Sequence, residues 1–329
     1  MVCRPWGLLD WALRLTQPRQ WDFVGALGTE ERCLAPWVWL RNLDACATTR
    51  LLEIHDQPSR HTAIARERLI ERAAQFFQGG GKPAEITHEL DLLADLPRIA
   101  EIASEIEATN NGSVMLDITS LPKRYFFPVL RQLERSKTVR DLVITYTSPA
   151  SYLENEPLSE EASDWLTLPG FHAADGERET LVVCAGFMVE SLHSHLATIN
   201  TPAPVKMLIP FPAPRAVLRL TWRSIFSLEA KRASNKFEHH RVDPADLAGA
   251  FDRIASFARD DSTKLAFAPF GPKPISAAMC LYASKRDCSV YYPQPRIYHP
   301  DYSQGVRTLD GKPAVFAYWI KHNDQRLYS

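Results

Sequence analysis

V114-M-L-D-I-T-S-L-P-K-R-Y-F-F-P-V-L-R-Q-L133 returns about 150 residues later as K264-L-A-F-A-P-F-G-P-K-P-I-S-A-A-M-C-L-Y-A283. In each stretch an apolar run reads as a buried strand, a Pro-Lys pair follows, and apolar residues at helical spacing come next. A tight strand-to-helix turn tipped by lysine sets a cation beside the first N–H groups of a helix, which have no acceptor inside the helix itself. Pro122-Lys123 aligns with Pro272-Lys273, so the chain reads as two related halves, each with a turn suited to an anion.

Outward from these turns the same alternation continues in both directions. A short amphipathic helix near Trp6 to Leu15 precedes the apolar run D22-F-V-G-A-L27, and Thr29 is placed to cap a helix running to Arg41. R50-L-L-E-I54, A84-E-I-T-H-E89 and D141-L-V-I-T-Y146 read as further strands, separated by helical runs over His61 to Phe77 and Leu92 to Ala108. Strand-helix alternation of this kind predicts an α/β fold, a parallel sheet wound with helices on both faces. From about Tyr152 to Arg178 the periodicity gives way to acidic, Pro- and Gly-containing sequence, which reads as a linker.

Winding then restarts with strands at T180-L-V-V-C-A185, V205-K-M-L-I209, F237-E-H-H-R-V242, Lys264 to Pro269 and C288-S-V-Y-Y292, and K312-P-A-V-F-A-Y-W-I320 reads as one extra edge strand. The expected organisation is an N-terminal half over 1–150, a linker over 151–178 and a C-terminal half over 179–329. Three anchors relate the halves: Val24-Gly25-Ala26 overlays Val183-Cys184-Ala185 at an offset of 159, the lysines at 150, and Tyr146-x-x-Pro149 overlays Tyr292-x-x-Pro295 at 146. Loop deletions would produce such a shrinking offset, because loops absorb them at little cost.

Composition excludes several classes. With 38 basic and 39 acidic residues in 329 the whole-molecule field gives no support to general duplex nucleic-acid binding. The six cysteines form no C-x-x-C pair and are expected as buried free thiols. M-V-C-R-P-W-G-L-L-D lacks the apolar core of a signal peptide, and no run approaches the roughly 20 apolar residues of a membrane span. A cytoplasmic protein is expected, with no cofactor and no metal. Gly79 to Gly81 with Lys82 lack the rest of a phosphate-binding loop, and neither His193 with His195 nor His239 with His240 has the spacing of a helical metal site.

Ligands of wound sheets collect at the carboxyl ends of the strands, near the point where strand order reverses. The residues expected there are Gly28, Thr29 and Glu30 after the first long strand, Asp117, Thr119, Ser120, Lys123 and Arg124 after the fourth, and Gly186, Phe187, Pro269, Phe270, Gly271, Lys273 and Ser276 in the second half. Lysines, hydroxyls and helix-end N–H groups suit a phosphate or a nucleotide edge, although first-turn lysines and an Asp117 N-cap would also explain part of the pattern. Glu31 recurs as Glu190, and an acid repeated beside an anion turn is a candidate general base or ribose ligand. Y291-Y-P-Q-P-R-I-Y-H-P-D-Y302, with Arg296 and His299, could stack bases over such a site or simply cover a core edge.

D117-I-T-S-L-P-K123 resembles the strand-four signature of the CRISPR-associated Rossmann fold (CARF) sensors: an Asp or Asn, a hydroxyl residue two positions on, and a small-residue turn ending in lysine. G271-P-K-P-I-S276 resembles the Gly-Thr-Lys-Pro turn of the same motif. Leu121 departs from it where glycine is usual, and Phe267 and Pro269 replace the polar pair. The resemblance implies two tandem Rossmann-like halves forming an intramolecular pseudo-dimer, with Lys123 facing Lys273 and a cyclic oligonucleotide or other nucleotide bound between. It also implies a sensor in antiviral defence that signals to a separate effector protein, since no effector domain remains once both halves are assigned. Two other readings stay open: an enzyme cleaving a phosphoester or glycosidic bond with Glu31 or Glu190 as base, and a scaffold subunit with vestigial clefts.

Overall fold

The computed structural model describes residues 3–14, 19–153, 158–162, 164–173, 180–186, 189–198, 204–258 and 264–328. The chain divides into two compact units, Met1–Ser163 with Gln294–Ser329, and Asp164–Pro293. Most of the long alternating runs found in the sequence form strands and helices close to their expected places, but Trp6–Leu8 is a strand where the start of a helix is expected, and Cys288 to Tyr292 makes only isolated bridges in place of the expected strand. The course of the chain after the second unit also differs.

The first unit opens with strand β1 (Trp6–Leu8) and helix α1 (Leu9–Arg14), followed by β2 (Trp21–Leu27), a 3-10 turn at Glu31–Leu34 and α2 (Ala35–Asn42). It continues through β3 (Cys46–His55), α3 (Thr62–Gln78), β4 (Ile86–Asp91), α4 (Leu96–Thr109), β5 (Ser113–Asp117), α5 (Lys123–Arg135) and β6 (Asp141–Thr147). β2, β5 and β6 are buried at every position. Burial on both sides is the signature of a parallel sheet covered on both faces, and it is why these strands read as unbroken apolar runs rather than as alternation. Two short strands, β7 (Pro149–Tyr152) and β8 (Ser159–Ala162), end this stretch.

The second unit carries β9 (Thr180–Cys184), α6 (Leu192–Thr198), β10 (Val205–Pro210), α7 (Arg215–Lys231), β11 (Phe237–Val242), α8 (Leu247–Ala255), β12 (Leu265–Pro269) and α9 (Lys273–Lys285). Its sheet is parallel throughout, in the order β11-β10-β9-β12. Val290 adds a single parallel bridge to Phe267 on the far side of β12. The parallel strands of the first unit are ordered β4-β3-β2-β5-β6. Counted from β2 and from β9, the first four parallel strands of each unit run 3-2-1-4, with β6 as a fifth in the first unit, and winding reverses between the first strand and the fourth.

The remaining segment returns to the first unit as β13 (Pro295–Tyr298), β14 (Ser303–Val306), β15 (Thr308–Leu309), β16 (Lys312–Pro313), β17 (Val315–His322) and β18 (Gln325–Arg326). β17 inserts antiparallel between β1 and β6, so the tail lies inside the first sheet and the three-residue β1 forms its edge. Its Tyr318, Trp319 and Ile320 are buried, and Trp319 meets Trp21 edge to face at 5.7 Å. The expected boundaries of 151–178 and 179–329 are corrected accordingly. β7 and β8 fall in or beside the expected linker and pair with β14 and β13, and residues 294–329 belong to the first unit.

Candidate functional site

In the first unit the winding reverses between β2 and β5, and the turns that leave these strands touch. A Cβ on Gly28 would lie 2.9 Å from Ser120 Cβ, so glycine is required there by close approach and not by an unusual φ. The Ser120 hydroxyl is buried with no hydrogen-bond partner among the described residues. Pro122 is the N-cap of α5 at φ −59 and ψ 149, and Lys123 is its first helical residue, only 8% exposed. Pro272 and Lys273 hold the same two positions at α9, with φ −54 and ψ 144 at the proline. A proline ahead of the first helical residue presets the extended backbone from which the helix departs, and this places the lysine stem at the helix N-terminus in both units.

The other expected residues divide into those held inside and those turned elsewhere. Asp117 is fully buried, and its Oδ1 accepts from Thr119 Oγ1 at 2.6 Å and Thr145 Oγ1 at 3.0 Å. Thr119 Oγ1 in turn accepts from the Thr147 backbone N–H at 2.9 Å. Asp117 and Thr119 thus tie the β5 turn to β6, and Asp117 does not cap α5. Arg124 is turned onto the turn before α4, donating to the carbonyl of Ala94 at 2.7 Å and 3.0 Å. Thr29 caps nothing and donates to the Pro300 carbonyl at 3.2 Å. Ser276 is buried and bonds back to the Pro272 carbonyl at 3.1 Å. Arg296 is exposed on β13 and belongs to the first unit, not to the half to which the sequence assigned it.

In the second unit the corresponding turns meet backbone to backbone. A Cβ on Gly186 would lie 2.4 Å from the Phe270 carbonyl oxygen, and one on Gly271 would lie 2.5 Å from the Ala185 carbonyl oxygen. The Phe270 ring packs at 5.5 Å from Trp165, which stacks on His195, and His195 in turn meets Tyr291. Burial holds the His195 imidazole below its ordinary pKa. Phe187 and the side chain of Glu190 lie outside the described residues, so the second of the two candidate acids is not placed.

The acid that reaches the first switch point is Glu30, whereas Glu31 is exposed on the 3-10 turn. Glu30 Oε2 accepts from Arg32 Nη2 at 2.7 Å and Nε at 3.0 Å, and Arg32 Nη1 donates to the Thr147 carbonyl at 2.6 Å. Arg32 is 3% exposed and also lies over the Tyr146 ring at 5.5 Å. Ser303, on the returning segment, donates to Glu30 and accepts from Arg32. The part of the aromatic, proline-rich stretch from Gln294 to Ser303 thus runs across the carboxyl ends of the first sheet as a strap. Its Tyr298 N–H donates to Asp56 Oδ2 at 2.6 Å, and His299 packs on His61 at 4.6 Å.

Sequence reasoning passed over His55, Asp56, Gln57 and Asp91, which stand at the carboxyl ends of β3 and β4 and line a cleft of about 370 Å³. The signal was available: H55-D56-Q57-P58 follows directly on the expected strand R50-L-L-E-I54, at the end where ligands of such sheets collect. Among the described residues no group of three or more His, Cys, Asp or Glu could hold a metal ion, and no helix is long and apolar enough to cross a membrane.

No family model matches the chain, and no curated protein matches it. Among solved structures it is similar to the cytoplasmic domain of a prokaryotic cation chloride cotransporter, at 11% identity over 86% of this chain and 98% of that one. The TM-score of 0.25 is too low to place the chain in a family.

Proposed function

We propose that the protein is a sensor of a nucleotide-type ligand, with a cyclic oligonucleotide as the leading chemistry, that reports binding to a separate effector protein in antiviral defence. The reading takes the two units as an ancient duplication. One observation carries it: the first four parallel strands of both sheets run 3-2-1-4, and in both the helix after the fourth strand begins with lysine behind a proline N-cap. A helix N-terminus with a lysine in its first turn suits an anion, so each of the two turns suits a phosphate. The buried Asp117-Thr119 brace fixes the first turn, so little ordering would be needed on binding.

Calorimetry with cyclic and linear oligoribonucleotides tests the reading. Binding is expected, weakened by about 1.5–3 kcal/mol in Lys123→Ala and in Lys273→Ala, the range of a charge-assisted hydrogen bond. The absence of heat with every oligonucleotide removes the sensor reading. Chromatography of the incubated ligand separates a sensor from an enzyme, because recovery of intact ligand is expected and turnover abolished by Glu31→Gln or Glu190→Gln would assign catalysis instead.

A further inference from the structure

The cleft at the carboxyl ends of β3 and β4 is lined by His55, Asp56, Gln57, Arg66, Leu90 and Asp91. His55 and Asp91 are register partners of the parallel pair, so the cleft floor is the rim of the sheet itself. The polar groups around it differ in how far they are already engaged. Asp91 Oδ1 accepts from the Leu93 N–H at 2.7 Å, and both Asp91 oxygens receive the Gln57 amide at 3.3 Å. His55 Nε2 lies 3.1 Å from Glu53. Asp56 uses Oδ2 for the strap, while its Oδ1 has no hydrogen-bond partner among the described residues. Arg66 is exposed near the start of α3 and forms no ion pair among the described residues. The cleft therefore offers one oriented carboxylate oxygen and one uncommitted guanidinium.

That pair selects a ligand with hydroxyls at one end and an anion at the other. A carboxylate accepts from vicinal hydroxyls, and a guanidinium binds phosphate in bidentate fashion. An acid just after the second strand of a wound sheet, one strand from the reversal of winding, stands where dinucleotide folds hold the ribose hydroxyls. The volume suits one small ligand, not an oligomer. We infer that this cleft is a ribonucleoside-monophosphate subsite, Asp56 taking the ribose diol and Arg66 the phosphate. The inference rests on the nucleotide reading above and gives it a second, separate contact point in the first unit. Burial in the cleft wall lifts the Asp56 carboxyl to about 6, which fits a group that can still ionise to accept a hydroxyl near neutrality.

The test is calorimetry on the full chain with the four ribonucleoside 5′-monophosphates, their 2′,3′-dideoxy counterparts, the free nucleosides and ribose 5-phosphate. At least one ribonucleotide is expected to bind more tightly than its dideoxy and unphosphorylated forms. Asp56→Asn keeps an oxygen for the Tyr298 N–H but presents an amide to the ligand. It is expected to weaken binding about 10- to 100-fold and erase the ribose preference. Arg66→Gln is expected to erase the phosphate preference, and being exposed and unpaired it carries the test alone should Asp56→Asn fail to fold. Wild-type affinity in both variants overturns the inference, as does ribose 5-phosphate binding as tightly as any nucleotide. Absence of monophosphate binding in a protein that does bind oligonucleotides through Lys123 and Lys273 overturns the inference alone. Absence of binding to both classes overturns the nucleotide reading with it.

Discussion

Arg32 Nη2 stands 2.7 Å from Glu30 Oε2, two residues away in the chain, and Ser303 Oγ touches both from the returning strap. The pair sets a neutralised, internally bonded charge at the carboxyl end of the first sheet and ties the turn after β2 to the end of β6. Removing Arg32 leaves the largely enclosed Glu30 carboxylate without its counter-charge, and removing Glu30 leaves the buried Arg32 guanidinium without one. Arg32→Ala is therefore expected to destabilise the protein by about 3–5 kcal/mol in chemical denaturation. A loss below about 1 kcal/mol would show that the pair is effectively solvated.

The tail is expected to behave as core of the first unit. Trp319 is 1% exposed, donates from Nε1 to the Ala12 carbonyl at 3.1 Å and packs against Trp21. Trp319→Ala should cost about 3–5 kcal/mol, the usual range for emptying a buried aromatic site. Thermal melts with the wild-type midpoint would place β17 outside the cooperative unit.

Asp56 makes a pH-dependent contribution with a definite sign. Its folded pKa is raised to about 6 from 3.8, because burial disfavours the carboxylate more than the Tyr298 N–H favours it. The wild type therefore loses stability as pH rises from about 3.8 through about 6, and the loss is complete above that window. Asp56→Asn lacks this loss, so its stability relative to wild type should improve between pH 4 and pH 7 by about 1–2 kcal/mol once the partial exposure of the site is allowed for. Denaturation midpoints across that range decide the matter, and a constant or falling difference would contradict the buried setting of the carboxyl.

None of the six cysteines forms a disulfide, and they should separate by burial. Cys33, Cys184, Cys280 and Cys288 are buried, and burial pushes the Cys33 thiol up to about 12. Cys46 is half-buried with its pKa also raised by burial, whereas Cys3 is exposed. A thiol reagent should modify Cys3 first, Cys46 more slowly, and the other four only after unfolding, because the thiolate is the reactive form. Mass spectrometry of the partly labelled protein reads the order, and early labelling of Cys280 would contradict the packing of α9.

What the sequence alone determined is local. Val114 to Asp117 and Leu265 to Pro269 are apolar runs too short for helices, and each is closed by a proline before a helical pattern, so strand, turn and helix N-terminus follow from adjacent residues. Parallel winding follows from their alternation. Membership of the first sheet by Val315 to His322 was decided only in the tertiary structure. Closing a long loop costs little more than closing a short one, so nothing in a strand's own composition names a partner more than 150 residues away. The choice between Glu30 and Glu31 is of the same kind. Both sit at a helix start in sequence, and only the 3-10 turn with the approach of Ser303 turns Glu30 to the buried arginine and leaves Glu31 in solvent.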